Sequence, residues 1–403
     1  PINATLDGIK IHTYTILDDD APPTVQFALS SSSGDESITP ANLSVQLNTP
    51  SGLPVTVGYS VTGGTATPGV GNDFTLVGSG TLTFAPGETA KNIQLNVVDD
   101  LVDEPNQTVE VTLAGPTNAA LSLNTVHTYT ILDNDSAPTL GISDVTQAEG
   151  NSGLTAFTFT VTKTGATEFT SGVNFATANG TATGGVACGA GVDYQDQSGP
   201  LSFAPGDITK TITVQVCGDV VFEGNETFFV NLSSPSAATI SDNQGLGTIS
   251  NDDAAPTLAI SDVTQVEGNS GTSGFVFTVT KTGSSEVTAT VDFATANGVS
   301  LPASGGVVCG AGADYQVQSG PLSFAPLVTT QTITVQVCGD ALDEDDETFV
   351  VNLSNAGGAT ISDNQGLGTI TDDDDAPTVS INDVSTLEGN SGTTPLSFTV
   401  SLS

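Results

Sequence analysis

The side chains able to do chemistry in this sequence are carboxylates, and they recur in sets. Glu149 lies in an EGNSG loop, Asp193 in a VDY triplet, Asp219 and Glu223 in GDVVFEG, and Asp252 and Asp253 in a short SNDD run. All six are hard oxygen donors, and no histidine or cysteine thiolate motif accompanies them. Such a set suits Ca2+ and disfavours zinc or copper, which prefer imidazole and thiolate. No Ser-His-Asp or Cys-His arrangement recurs along the chain, so the reading is of a non-enzyme, with no catalytic residue and no organic cofactor. His12 and His127 share one place in a repeated HTYTIL string and are expected to point outward from a strand.

Short alternating strands must position these groups. Around them the runs 139–143, 155–163, 171–178, 199–204, 210–216, 226–233 and 245–250 read as seven strands, rich in Thr, Val, Ile and Phe. Phe157, Phe159 and Val161 share one face of the second strand, and Ile212, Val214 and Val216 one face of the fifth. Thr and Gln take the opposite faces, the pattern of a sandwich with one side of each sheet wet. If successive strands run antiparallel, the exits of the first, third, fifth and seventh share one pole, and the six carboxylates fall at or next to those exits. So many acids at one tip repel each other unless a cation bridges them.

The pattern repeats. Asp144 recurs as Asp262, 118 residues on (262 − 144), while Cys188 and Cys217 recur as Cys309 and Cys338. Residues 21–135, 136–253 and 254–375 therefore read as three complete repeats, and the fold class as all-β: tandem immunoglobulin-like seven-stranded antiparallel sandwiches arranged end to end. Residues 1–20 read as the C-terminal strand of a preceding repeat, and 376–403 as the N-terminal strands of a following one. Methionine is absent even at position 1. The expectation is a window of a longer tandem chain within a fibre or assembly, or else end strands donated to other subunits.

Charge narrows the function classes. The 403 residues carry 45 acidic against 5 basic side chains, a formal net charge of −40, and every basic residue is a lysine. Nucleic-acid binding needs an electropositive footprint and is excluded, and anionic membrane surfaces repel the chain. No apolar run approaches the roughly 18 residues of a membrane span, so no membrane insertion is expected. With 37% hydrophobic residues in alternating runs, the chain is not an acidic disordered tail.

The motifs DVTQ-EGNSG, FTVTKTG, ATANGTATGG, the DY pair, SGPLSFAPGD, TITVQV, E-NETFFVNLS and GLGTI-DD together resemble the Calx-β domain. That domain is named from Na+/Ca2+ exchangers and occurs also in integrin β4 and in large bacterial surface and secreted proteins. The resemblance covers all three complete repeats and implies Ca2+ held by loop carboxylates at the distal tip. Carried over, the ligands of the second repeat are Glu149, Asp193, Asp219, Glu223, Asp252 and Asp253. Those of the third are Glu267, Asp314, Asp340, Glu344, Asp372 and Asp373. The first offers Asp73, Asp99, Asp100, Glu104, Asp133 and Asp135, with Glu36 in a rewritten GDESITPAN loop. The exchanger-type Asp-Gly-Thr-Ala motif departs to Asn179 and Asn297 in the second and third repeats. The acidic run after the fifth strand is thinned to Cys-Gly-Asp, which implies weaker sites.

Cys188 and Cys217, like Cys309 and Cys338, are 29 residues apart (217 − 188 and 338 − 309) and flank ligand-bearing loops. Disulfides Cys188–Cys217 and Cys309–Cys338 are the expectation, with buried free thiols as the alternative. Long tandem runs, few lysines and paired cysteines favour an extracellular or cell-surface structural or adhesive array, rod- or filament-forming, stiffened by Ca2+ between repeats. Its partners would be neighbouring repeats or copies, with a cell-surface or matrix ligand. The alternatives are a calcium-responsive regulatory module and spacer repeats of a large secreted enzyme.

Overall fold

The β-branched and aromatic runs pleat as the alternation requires. The computed structural model describes Gly8 and residues 11–69, 72–76, 79–310 and 312–403, and among them no helix forms. In the second repeat the main strands are β1 (Thr139–Ile142), β2 (Val145–Ala148), β3 (Gly153–Thr164), β4 (Ser171–Asn179), β5 (Tyr194–Gln195), β6 (Ser198–Phe203), β7 (Thr209–Gly218), β8 (Glu226–Ser236) and β9 (Gln244–Ser250). One sheet orders β5-β7-β3-β1, with Thr239–Asp242 beyond β1, and the other β2-β9-β8-β4-β6. The third repeat follows the same plan. The seven expected strands are all present, and the tandem sandwich architecture is as the patterning indicates.

The first expected strand is split between the two sheets. After Ile142 the chain crosses over at Ser143 and Asp144, and β2 then pairs parallel with β9. Two polar side chains make the crossing affordable by replacing ladder partners: Ser143 Oγ accepts the Thr160 N–H at 3.0 Å and Asp144 Oδ1 the Leu246 N–H at 2.8 Å. The crossing delivers the loop after β2, with Glu149, to the end where β9 exits. Because β4 and β9 both run antiparallel to β8, the exits of β2, β4, β7 and β9 share one pole.

Phe228 of β8 fills the centre of the second repeat. Its ring stacks on Tyr194 at 4.5 Å and meets Phe159 at 5.8 Å and Phe157 at 5.9 Å, all fully buried. Gly247 on β9 has no room for a side chain, since a Cβ there would lie 2.5 Å from the Phe228 ring. Phe349, Tyr315, Phe275, Phe277 and Gly368 rebuild the arrangement in the third repeat. The first repeat exchanges volume between facing strands: Val109 replaces the phenylalanine, and Tyr129 stands where the glycine would be.

The same exchange corrects the expectation for His127, which is buried rather than outward. It shares the inward face of its strand with Tyr129 and Ile131, its Nδ1 lies 2.7 Å from the Leu29 carbonyl oxygen, and its Nε2 lies 2.8 Å from Ser32 Oγ. His12 is exposed. Of the Ile9 to Leu17 run, read as the last strand of a preceding repeat, residues 11–17 form no strand and have no sheet partner among the described residues, while residues 9–10 lie outside the described set. Val379–Ile381 pairs antiparallel with Val400–Leu402.

Removing the central ring leaves a cavity that its rigid neighbours cannot fill. Phe228→Ala is expected to destabilise the second repeat by about 3–5 kcal/mol. In denaturant unfolding of the whole chain, the transition of the third repeat should stay in place, and a shift of both would show that the repeats unfold as one unit.

Candidate metal centres at the repeat tips

Three loops and the exit of β9 bring the acids of the second repeat together. Glu149 is held inward: only 3% of it is exposed, and among the described residues no donor reaches its carboxylate. Asp193 is fixed on both sides, its Oδ2 accepting the Thr183 N–H at 2.7 Å and its carbonyl the Cys217 N–H at 2.8 Å. Asp219 Oδ1 takes the Val221 N–H at 2.7 Å, which turns the loop after β7 so that Glu223 follows on the same side. Single oxygens of Asp193, Glu223 and Glu226 lie within 4.8 Å of one another.

The run after β9 divides its labour by period two. Its middle residue, Asp252, accepts the Gly150 N–H at 3.1 Å. The third, Asp253, takes the Asn151 amide at 2.5 Å and buries a second oxygen that has no partner. In the third repeat the equivalent residues are Asp372, Asp373 and Asp374. Asp373 Oδ1 accepts the Gly268 N–H at 3.0 Å, while oxygens of Asp372 and Asp374 lie within 4.8 Å of Glu267. Asp374 was outside the expected set, and the strand's own alternation could have found it. The first repeat behaves alike, with Glu36, Asp133 and Asp135 clustered within 4.8 Å.

Two further ligand candidates escaped the sequence reading because they open a strand rather than follow one. Glu226 begins β8 and Glu347 begins its counterpart, and β8 starts from the acidic pole. Glu347 joins Asp314 and Glu344 within 4.8 Å, as Glu226 joins Asp193 and Glu223. In the first repeat the position is Gln107, which donates to Glu104 Oε2 at 2.8 Å. Asp340 Oδ1 and Asp100 Oδ1 repeat the turn made by Asp219, accepting the N–H groups of Leu342 at 2.9 Å and Val102 at 2.8 Å. Asp73 repeats Asp193 by accepting the Thr67 N–H at 2.5 Å, and Asp99 accepts the Asn134 amide at 3.4 Å. Glu36, Asp73, Asp100, Glu104 and Asp133 line a cavity about the size of one water molecule.

Asn179, the departure from the exchanger-type aspartate, is used inside its own domain. Its Oδ1 accepts the Tyr194 hydroxyl at 2.6 Å and the Gly184 N–H at 2.9 Å, and Asn297 does the same for Tyr315 and Gly305. The disulfides Cys188–Cys217 and Cys309–Cys338 are formed, with Cα–Cα separations of 5.7 and 5.5 Å, and no described cysteine is free. Each staples the loop before Asp193 or Asp314 to the end of the strand leading to Asp219 or Asp340. On the chain-entropy view such a ring contributes about 3.5 kcal/mol.

Burial and crowding raise the pKa of these carboxyls and so weaken them as acids. Burial first, then the charges of Glu223, Asp219, Asp253 and Asp252, push Glu149 up to about 7. Burial and the neighbouring carboxylates push Glu267 and Glu223 to about 7 as well. Glu226 rises to about 8, through burial and then its hydrogen bond and repulsion with Asp193. Among the described residues no lysine offsets them, and the two described ion pairs, Lys91–Glu88 and Lys210–Asp207, belong to other acids. An all-oxygen, over-charged, partly buried cluster fits a hard divalent cation.

The Calx-beta domain model matches residues 18–135, 133–262 and 251–383. The chain belongs to the Calx-beta family. Among curated proteins it is similar to sodium/calcium exchanger 1 of Bos taurus, 32% identical over 208 residues, covering 48% of this chain and 21% of that protein. Sodium/calcium exchanger 2 of Mus musculus is 28% identical over 199 residues, covering 44% of this chain and 20% of that protein. The chain thus spans about a fifth of the length of these relatives. Among solved structures, CBD12 from CALX1.2 is 24% identical, covering 53% of this chain and 80% of that one at a TM-score of 0.27. The apo-form Calx CBD1 domain is 26% identical, covering 28% of this chain and all 100% of that one at a TM-score of 0.26.

The raised carboxyls set a sign for the metal-free Calx-beta repeats. A carboxyl near 7 in the folded state and near its ordinary 4.5 when unfolded keeps its proton longer in the fold. Folding then gains from protonation at low pH and loses that gain as pH rises from about 4.5 to about 7. Thermal melts in chelator should therefore show higher stability at pH 5 than at pH 8. Glu149→Gln should narrow that difference for the second repeat, and a melting temperature that rises with pH would contradict the assignment.

Proposed function

We propose that each tip binds Ca2+ and that the chain is a non-enzymatic structural or adhesive array of the extracellular space or cell surface, its joints stiffened by the cation. The observation that carries this reading is the Glu149 carboxylate, with Glu267 as its counterpart. Both residues are more than nine-tenths buried, among the described residues no donor reaches either carboxylate, and the charges that act on each are those of acids. Beside them Glu226 Oε2, Asp253 Oδ2 and Asp374 Oδ2 are buried with no hydrogen-bond partner. A buried charge left unmatched is costly, so a site of this kind is built for a positive charge. In the second repeat Glu149, Asp193, Asp219, Glu223, Glu226 and Asp253 would hold the cation, while Asp252 shapes the glycine loop. In the third, Glu267, Asp314, Asp340, Glu344, Glu347, Asp372 and Asp374 would do so. In the first, Glu36, Asp73, Asp100, Glu104, Asp133 and Asp135 are the corresponding set. Bound Ca2+ supplies charge neutralisation and cross-links loops that otherwise repel.

Disulfides beside the tips support an oxidising compartment, where thiol pairs persist. The likeness to sodium/calcium exchangers favours a second reading, a calcium-responsive regulatory module. Affinity separates the two: extracellular modules work at about 0.1–1 mM Ca2+ and sensors at about 0.1–10 μM. Calorimetric titration of the whole chain is expected to show binding in the weaker range and a rise in melting temperature over the chelated chain. Small-angle scattering should show a narrower range of lengths with Ca2+. Unchanged melting and unchanged length would overturn the proposal, and sub-micromolar sites would favour the sensor.

A further inference from the structure

The tips are not closed by their own repeats alone. In the first repeat, Val102–Asp103 of the acidic loop pairs as a short parallel ladder with Ala166–Thr167 of the second repeat. The Glu168 N–H donates to the Asp103 carbonyl at 3.0 Å. At the next joint Phe222 bridges Ser285 in the same parallel sense, and the Glu286 N–H donates to the Phe222 carbonyl at 3.1 Å. Asp103 immediately precedes Glu104, and Phe222 immediately precedes Glu223, so each contact sets a glutamate of one repeat beside a ligand candidate of the repeat before it. Thr167 and Ser285, the residues just before these glutamates, are buried at the joints with 4% and 5% exposure. Thr167 Oγ1 donates to the Asp103 side chain at 2.7 Å.

We propose that Glu286, and Glu168 at the preceding joint, complete the Ca2+ site of the repeat before them, so that the second and first tips are each closed by a carboxylate from the following domain. This rests on the reading of the tips as Ca2+ sites and adds a ligand that no single repeat contains. The two joints reached the same arrangement with different loop residues, Asp103 in one and Phe222 in the other, so the common element is the glutamate and its backbone anchor. Both glutamates are exposed, and neither carboxylate accepts a hydrogen bond among the described residues. The independent signs of a ligand at the second tip are Glu149, only 3% exposed with no donor to its carboxylate among the described residues and repelled first by Glu223, and the buried, unpartnered Glu226 Oε2 and Asp253 Oδ2. Of the charges acting on Glu223, that of Glu286 comes first after burial, and on Glu104 that of Glu168 holds the same rank.

Such a site couples binding to geometry. Ca2+ would bridge two domains directly, and the backbone pairing already fixes Glu286 near its place, so little ordering entropy opposes the closure. The first repeat has Gly52 at the equivalent position and cannot close a tip in this way.

The test uses the whole chain, Ca2+ itself as the probe, and the variants Glu286→Gln, Glu286→Asp and Glu168→Gln. Calorimetric titration should show Glu286→Gln weakening the second tip by about ten- to a hundredfold, with the third tip unchanged. Glu286→Asp keeps the charge but shortens the reach, so it should weaken binding nearly as much if Glu286 is a ligand. Small-angle scattering at saturating Ca2+ should show a wider spread of lengths for both variants. Glu168→Gln should act in the same way on the first tip alone. If Glu286→Gln and Glu168→Gln bind Ca2+ as the parent chain does, or if Glu286→Asp is silent, the inference fails while the tip sites stand. If the parent chain binds no Ca2+, both fail together.

Discussion

Carboxylate repulsion at one pole is the constraint around which the rest of this chain is arranged. A sandwich of hydrogen-bonded strands with aromatic centres would fold with neutral loops, yet the acids are concentrated at a single end of every repeat. There they are partly buried, they raise one another's proton affinity, and among the described residues no lysine is placed to relieve them. Two lysines that could have served, Lys163 and Lys281, are buried elsewhere. Their ammonium groups donate to the carbonyls of Ala204 and Pro205, and of Ala325 and Pro326. The tips store an unfavourable field that a cation would release.

Several structural choices follow from holding that field in place. The crossover at Ser143 and Asp144 moves the end of the first strand to the other sheet and so carries Glu149 beneath the acids after β9. Gly218 cannot bear a side chain, because a Cβ there would lie 2.0 Å from the Gly150 carbonyl, and this keeps the two acid-bearing loops in contact. The disulfide joins the remaining loop to the same strand end. In the first repeat the disulfide is absent, and the Val98 N–H to Asp73 carbonyl bond at 3.0 Å is the surviving tie. Sandwich, staple and crossover thus serve one end of the domain, while the opposite end of the second and third repeats meets the acidic loop of the repeat before it.

Much of this was legible in the sequence. Strict alternation fixes which faces of the 155–163 and 210–216 runs are buried, because the pleat has a period of two and leaves no alternative register. The repeat offsets and recurring strings mark the tandem organisation, and strand parity alone puts Glu149, Asp193, Asp219, Glu223, Asp252 and Asp253 at one pole. The spacing of the cysteines was also readable, although pairing needed proximity that only the fold provides.

Tertiary structure decided the rest, for reasons that lie in contacts between distant segments. His127 is buried because the Leu29 carbonyl, the Ser32 hydroxyl and the Phe27 ring, about a hundred residues away in the chain, receive its imidazole, a set of contacts invisible along one strand. Glu226, Glu347 and Asp374 join the clusters through which end of a strand meets the pole and which side of an extended run faces inward. Sequence determined the kind of chemistry by supplying only oxygen donors and almost no positive charge. Which carboxylates stand within reach of one another, and that Glu168 and Glu286 approach from the following repeat, was settled by folding, because those distances depend on chain segments up to about a hundred residues apart, brought together by sheet pairing.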